Sequence, residues 1–356
     1  MRIARCEAWL VEMPLSEPYE IAYEKVDKAR NVFLRVETTR GTSGFGCAAP
    51  DPNITGETVE QALAALRDAA PPVLKGLDPL RPVMVMERFK VSLQAFPSAR
   101  AAIDMALHDI LGKEAGLPLW KLLGGFRSSF RTTVTLGIMG VRESVDRSLE
   151  MAARGFKALK IKGGLDAEQD VERLVRIREA VGPRIELRFD ANQGYTAEQT
   201  ARFLRRTRPV KLELIEQPTP SKDLDQLERA TRMASIPVMA DESLINLRDA
   251  FRLVRRGIAD MVNIKLMKCG GITEALNINS VAKAGGYEAM VGCMDESALA
   301  IAAGLAFALC RPNVAYADLD GHLGLAGDPF EGSVVLKEGV LYPTGAPGLG
   351  CKAPRS

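Results

Sequence analysis

Three carboxylates end successive apolar runs in the middle of this chain: Asp190 in RIELRFDANQGY, Glu216 in KLELIEQP and Asp241 in IPVMADES. They stand 26 and 25 residues apart, about the length of one strand and one helix. That spacing predicts three consecutive parallel strands, each delivering one acid at its C-terminal end. In a barrel of alternating strands and helices, active sites are built on that rim. Three carboxylates meeting there repel one another unless a hard cation neutralises them, and an all-oxygen ligand set with open positions suits Mg²⁺. Lysines flank the three: Lys160 and Lys162 in KALKIKGG, and Lys265 in MVNIKLMKCGG.

The same alternation extends to both sides. From Arg131 onward, strand candidates occur at TTVTLGI, FKALKIK, RIELRFD, KLELIE, PVMAD, MVNIK, YEAMVG and AYADLD, mostly separated by amphipathic helical spans. This predicts an eight-stranded parallel barrel over residues 126–322. Residues 1–125 lack that rhythm. Two strand-like segments, RIARCEAWLVEMP and NVFLRVETTRG, lead into a Gly-rich turn, GTSGFGCAAP, and then into helical stretches such as GETVEQALAALRDA. Strands followed by helices predict an α+β unit. Beyond residue 322 the pattern dissolves into Gly and Pro, and the tail, 323–356, is expected to pack back on the first unit. The fold class is therefore α/β, a TIM-like barrel carrying an N-terminal α+β cap, and 356 residues leave room for both.

Charge and composition exclude several other functions. A net charge of +2 spread along the chain gives no electrostatic case for nucleic acid or a membrane surface. Six cysteines without C-x-x-C spacing read as reduced thiols rather than a disulfide framework or a zinc site. The N-terminus, MRIARCEAWLVEMPL, has charges where a signal peptide needs an apolar core. The apolar run from Ala298 to Cys310 is too short to span a bilayer and reads as a buried helix. A cytoplasmic protein is expected. With only His108 and His322, histidine-based triads and zinc sites are nearly excluded; His108, on an apolar helical pattern, reads as a packed, hydrogen-bonded residue. Base chemistry then falls to lysine.

Lys160 and Lys162 are two apart on a strand and so share a face. Lysine pairs on strands are ordinarily solvated, but a barrel interior offers no such face. Neighbouring ammonium groups and a divalent cation are expected to depress a lysine pKa towards that of a neutral general base. Asn192 shares the face of Asp190 and can hydrogen-bond a ligand or water; an Asp at a strand end also serves as a helix cap. Glu216 precedes a strand-breaking Pro218. Glu242 points away from Asp241 and is taken as its neighbour. Lys268 is an alternative to Lys265 as a base.

In this order, K-x-K (Lys160, Lys162), DAN (Asp190), EQP (Glu216), DES (Asp241) and NIK (Lys265) resemble the enolase superfamily, and specifically its muconate-lactonising-enzyme subgroup. The resemblance extends to ALHDILGKEAGLPLWKLLGG before the barrel and covers nearly the whole chain. It implies a (β/α)₇β barrel capped by a domain built from both termini, with two N-terminal loops, here Pro18–Lys25 and Ala48–Thr55, closing over the site. It also implies one Mg²⁺ (or Mn²⁺) on Asp190, Glu216 and Asp241. Lys162 and Lys265 would then transfer a proton on opposite faces of a carbon α to a carboxylate, through an enediolate, with Lys160 as electrostatic helper.

YADLDGH places Asp318 and Asp320 at the end of the last strand. This Asp-x-Asp resembles that of the dipeptide epimerases, where the pair receives the substrate's N-terminal ammonium, a cation that needs an anionic partner away from water. Helix-cap or turn roles are the plain alternative. Thr135 is counted among the substrate-binding residues. Where Ala-Glu epimerases carry an arginine in the first loop, alignment on Pro14, Leu15 and Pro18 puts Glu24. With Glu20, Asp51 and Asp295, this charge reversal favours Lys- or Arg-containing dipeptides, unless these acids are merely solvated. The expected protein is thus a homo-oligomeric Mg²⁺-dependent epimerase acting on the C-terminal residue of an L,L-dipeptide. N-acylamino acid racemase or o-succinylbenzoate synthase is the alternative enzyme, and a non-catalytic barrel the alternative class.

Overall fold

The computed structural model describes residues 1–21 and 24–352, and the side chains of all of these except residues 20, 21, 24 and 25. Three strands open the chain: β1 (Ile3–Ile21), β2 (Glu24–Thr38) and β3 (Ser43–Ala48), paired antiparallel in that order. Of the first expected loop, Pro18–Lys25, residues 18–21 end β1 and residues 24 and 25 begin β2, with pairing that resumes at Tyr19 and Val26 after a register break beyond Pro14; residues 22 and 23 lie outside the described residues. Of the second expected loop, Ala48–Thr55, Ala48 ends β3 and residues 49–55 form a loop.

The stretch read as a Gly-rich turn is strand β3, lying against the 19-residue helix Pro97–Ala115. Its glycines serve close approach rather than turning. A Cβ on Gly44 or Gly46 would overlap the carbonyl oxygens of Ala106 and Ala102. His108 on this helix is 4% exposed, and its Nδ1 is 2.8 Å from the Asp104 carbonyl oxygen, so it is the packed histidine expected.

After the two-residue strand β4 (Phe130–Arg131), eight parallel strands run in strict chain order: β5 (Val134–Leu136), β6 (Ala158–Lys162), β7 (Glu186–Asp190), β8 (Ile215–Glu216), β9 (Val238–Ala240), β10 (Met261–Lys265), β11 (Glu288–Gly292) and β12 (Val314–Asp318). A backbone hydrogen bond from Thr133 N to Ala317 O, 3.0 Å, joins the last strand to the first and closes the barrel. Seven helical crossovers connect the strands. Asp166, Thr196, Asp223 and Asn246 cap the N-termini of four of these helices with their side chains.

Strand alternation sorts the barrel into layers. Leu159, Ile161, Leu187, Phe189, Val262, Ile264 and Val291 face outward into the core shared with the helices. On the inward face, Leu214, Met239, Met261 and Met290 form a separate apolar plug with Tyr316. Two residues further along the same strands, the inward positions are Glu216, Asp241, Asn263, Gly292 and Asp318. The plug is the floor on which the polar residues stand. The run from Ala298 to Cys310 is a helix buried at every position.

The tail reaches both units. Strands β13 (Val334–Lys337) and β14 (Val340–Pro343) form a hairpin that adds to β4, and Leu349 N donates to Asp109 Oδ1 of the long cap helix at 2.8 Å. Among the described residues, no helix is long and apolar enough to cross a membrane.

The β3–helix contact generates a stability prediction. Gly46→Ala should cost about 1–3 kcal/mol, as overpacking of a close backbone contact does, read as a lower urea midpoint with an unchanged m-value.

Candidate active site

Parallel pairing brings the ends of β6 to β9 to one level: Lys162 pairs with Asp190, Asp190 with Glu216, and Glu216 with Met239. Inside this rim, Lys160 Nζ lies 3.1 Å from Asp190 Oδ2, 2.9 Å from Glu216 Oε2 and 2.9 Å from Asp318 Oδ2. Lys265 Nζ lies 2.8 Å from Asp241 Oδ2, while Lys268 holds Oδ1 of the same carboxylate. Lys160, Asp190, Glu216 and Asp241 are each at most 2% exposed. The three acids expected to converge are therefore divided, two on Lys160 and one on Lys265 and Lys268. Among the described residues, no three Asp, Glu, His or Cys side chains form a ready-made metal cluster. In a medium this dry, each carboxylate takes the nearest cation.

The donor set nevertheless fits a hard cation. Glu216 Oε2 has only the Lys160 ammonium, at 2.9 Å, while both Glu242 carboxylate oxygens and Asn192 Oδ1 are buried without a partner. Burial, only partly offset by Lys160, pushes Glu216 up to about 8. Burial and the Asp241 charge push Glu242 up to about 7. Buried oxygens left unpaired in this way are costly unless something electropositive covers them. All of them are hard ligands of the kind that Mg²⁺ or Mn²⁺ takes. Glu242 is therefore more than a neighbour of Asp241.

Lys160 and Lys265 are shifted upward in this structure, not depressed. Burial disfavours the Lys265 ammonium, but Asp241 outweighs it and raises the pKa. Lys160 is likewise raised well above the usual range, since Asp190, Asp318 and Glu216 outweigh its burial. Asp241 moves the other way: Lys265 and Lys268 hold its carboxyl well below the ordinary range despite burial. At Lys160 and Lys265 the carboxylate charges outweigh both burial and the neighbouring ammonium charge.

Two residues that the motifs contain but the sequence reading left unassigned hold the acids in place. Gln217, at φ 30°, accepts from the amides of Asp241 (3.0 Å) and Ser243 (3.1 Å) and donates to Thr219 O, which locks the end of β8 to that of β9. Asn263 Nδ2 donates to Glu216 Oε1 at 2.8 Å. Its position two before Lys265 on one strand was the available signal, because i and i+2 share a face.

Above these groups opens a cavity of about 680 Å³. Lys160, Lys162, Lys265, Asp241, Glu242 and Asn192 line its base. Lys268 does not line it, so of the two alternative bases only Lys265 reaches the cavity. Asp318, Asp320 and Thr135 form one wall. Asp318 is already engaged, accepting from Lys160 and from Thr133 Oγ1 at 2.6 Å, and the Lys160 charge overcomes burial to bring it to about 2. Asp320 accepts from Thr135 N at 2.6 Å, and burial followed by the Asp318 charge lifts it to about 6.

The rim is mixed in charge. Tyr19, unassigned from sequence, donates to Asp295 Oδ2 at 2.6 Å. Asp51 lines the cavity, but its Oδ1 accepts from the amides of Asn53 (2.7 Å) and Ile54 (3.3 Å) in its own loop. The Glu20 and Glu24 side chains lie outside the described residues. Arg147 and Arg154 also line the outer cavity, with Arg147 paired to Glu17 and Glu150.

Lys268→Met should leave Asp241 one partner short in a dry site. The expected loss is roughly 3 kcal/mol, at the low end for a broken buried pair because Lys265 remains, and is measured by urea unfolding in the presence of a chelator.

Comparison with known proteins matches residues 5–124 to the N-terminal domain of the mandelate racemase / muconate lactonizing enzyme family and residues 142–355 to a domain described as enolase C-terminal domain-like. The L-Lys-D/L-Arg epimerase of Desulforapulum autotrophicum is 40% identical over 356 residues, covering 99% of each chain. A dipeptide epimerase from Methylococcus capsulatus, solved with Mg and the dipeptide L-Arg-D-Lys, superposes with a TM-score of 0.94 at 40% identity over 99% of each chain. The substrate-liganded L-Ala-D/L-Glu epimerase from Bacillus subtilis superposes with a TM-score of 0.97 at 35% identity over 100% of each chain.

Proposed function

The chain belongs to the mandelate racemase / muconate lactonizing enzyme family, and from that membership we propose that it is a Mg²⁺-dependent dipeptide epimerase that inverts the C-terminal α-carbon of an L,L-dipeptide, preferring cationic side chains. The observation that carries the reading is a single cavity lined by Lys162, Lys265, Asp241 and the Asp318–Asp320 pair. It offers two amines on separate strands, hard oxygen ligands, and an anionic wall where an ammonium can sit.

A cation held by Asp190, Glu216 and Asp241 would supply the Lewis acidity that makes a proton α to a carboxylate removable, and would draw off the negative charge that now raises Lys265. Lys162 and Lys265 lie on the second and sixth barrel strands and address the α-carbon from opposite sides. One removes the proton, the carbon becomes planar as its electron pair delocalises into the carboxylate, and the other ammonium returns a proton to the far face. Lys160 stays protonated and offsets the growing negative charge. Asp320, whose second oxygen has only the Cys293 thiol at 3.8 Å, is the better placed of the wall acids to take the substrate ammonium. Asp318 sets Lys160 and the wall behind it.

Asp295 and Asp51 at the rim favour Lys or Arg side chains, in keeping with the L-Arg-D-Lys ligand of the Methylococcus capsulatus relative. Arg147 does not cancel this preference, since Glu17 and Glu150 already neutralise it. The reading retains the expectation of a cytoplasmic homo-oligomer with a small-molecule substrate.

Incubation with Mg²⁺ in D₂O against a panel of L,L-dipeptides should give α-deuterium in Lys- and Arg-containing members and far less in Ala-Glu. Uptake confined to Ala-Glu types would overturn the cationic preference, and uptake in none would overturn the activity. Lys162→Ala and Lys265→Ala should each abolish epimerisation while leaving α-proton exchange of opposite epimers.

Asp320 adds a pH dependence with a definite sign. Below about 6 it takes up a proton and loses its attraction for the substrate ammonium. Thus kcat/KM, which already falls with protonation of the lysine base, should fall a further tenfold or so per pH unit below about 6. A pH–rate profile of Asp320→Asn should lack that added steepening.

A further inference from the structure

Beneath the strand end that bears Lys162 lies a charged network that never touches the cavity. Asp170 and Arg173, on the helix Ala167–Val181, and Tyr195, in the segment after β7, are 4%, 3% and 3% exposed, and none lines the cavity. Arg173 Nη2 donates to the Lys162 carbonyl oxygen and, at 2.7 Å, to Asp170 Oδ1. Asp170 Oδ2 accepts from Tyr195 Oη at 2.6 Å and from Gly164 N at 2.9 Å. Gly163 N donates to the Asp190 carbonyl oxygen at 2.9 Å, and Gly164, at φ +102°, lies so close to Ala191 that a Cβ would overlap its carbonyl oxygen. The turn Lys162–Gly164 is thus fastened from below by Arg173 and Asp170, and from the side by the segment that carries Asp190 and Tyr195.

Stability alone does not explain this arrangement. A buried ion pair seldom repays the desolvation of its charges, and apolar residues of similar volume do as well or better. Here Arg173 also leaves its Nε buried and unpartnered. The surroundings are well suited to apolar filling, since Phe189, Tyr195 and Phe203 already pack ring to ring, with centroids 4.5–6.2 Å apart. What the network does that apolar residues cannot is seize the carbonyl of Lys162 and the amide of Gly164 directionally, fixing where the lysine side chain leaves the strand.

We infer that Asp170, Arg173 and Tyr195 are positioning residues for Lys162, holding its ammonium at the depth and angle needed on one face of the substrate α-carbon. This rests on the two-base reading above. It predicts a one-sided defect, because Lys265 on β10 has no contact with the network.

The test compares initial rates of α-deuterium incorporation in D₂O with Mg²⁺ for the L,L and L,D epimers of one Lys/Arg dipeptide. Lys162→Ala first identifies the epimer that Lys162 serves. Tyr195→Phe and Arg173→Met should slow exchange of that epimer by at least about tenfold, as displacement of a reacting group by a fraction of an ångström does. The other epimer should change by less than about twofold, KM for both should be nearly constant, and Arg173→Lys should recover part of the loss. Equal loss on both epimers, or loss on neither, overturns the inference. So does failure of both Tyr195→Phe and Arg173→Lys to give a cooperative thermal transition, which would make the network a stability element. A wild-type protein that exchanges no dipeptide overturns the epimerase reading, and this inference with it.

Discussion

One ammonium group, that of Lys160, is shared by three carboxylates at the centre of the barrel mouth, and the surrounding architecture is built around that contact. Removing an ammonium and three carboxyl groups from water is expensive, and only close, well-directed pairing recovers the cost. The barrel meets that demand by register: neighbouring strands end at the same level, so Lys160, Asp190, Glu216 and Asp318 arrive together without any loop having to bend inward. The apolar plug of Leu214, Met239, Met261 and Met290 closes the space below and keeps the pairing dry. The carboxyl groups on Lys160 outnumber its single charge, and the Glu242 and Asn192 oxygens stay unpaired on the cavity side, the condition under which a cation can enter and meet a substrate carboxylate.

Much of this was readable because it depends on local period and spacing. Even β8, only two residues long, was legible, since an apolar run ends in Glu216 just before Pro218. The repeat of about 25 residues between acids survives because each unit must contain one strand, one crossover helix and two short connections. Lys265 was separable from Lys268 on similar grounds: the first ends the strand, whereas the second begins a helix and turns its side chain back on Asp241.

The rest depends on contacts between remote parts of the chain, which leave no local pattern. Tyr19 and Asp295 are 276 positions apart, and neither has a neighbourhood that names the other. Strand β3 looked like a turn because its glycines are there for a helix that comes some fifty residues later. The upward shift of Lys160 and Lys265 was not legible for a related reason: same-face spacing reveals which lysines are neighbours, but not which carboxylates from other strands stand beside them. The order of the carboxylates and lysines along the strands was thus local information, and their protonation was not.

The two lips of the cavity are stitched to each other. Ser16 N bonds to Gly324 O at 2.8 Å, Ala326 N bonds to Pro14 O at 2.9 Å, and Leu15 bridges Leu325, so the first strand of the chain is paired to the segment that follows Asp320. A cap sewn to the barrel in this way cannot lift as a rigid lid without tearing its own seam. Beyond Ser16, past the register break, the described strand is tied to the opposite lip by the Tyr19–Asp295 hydrogen bond and to the helix Val141–Ala153 by the Glu17–Arg147 ion pair. A substitution at Tyr19 or Asp295 therefore alters the same contact that joins the two sides of the rim.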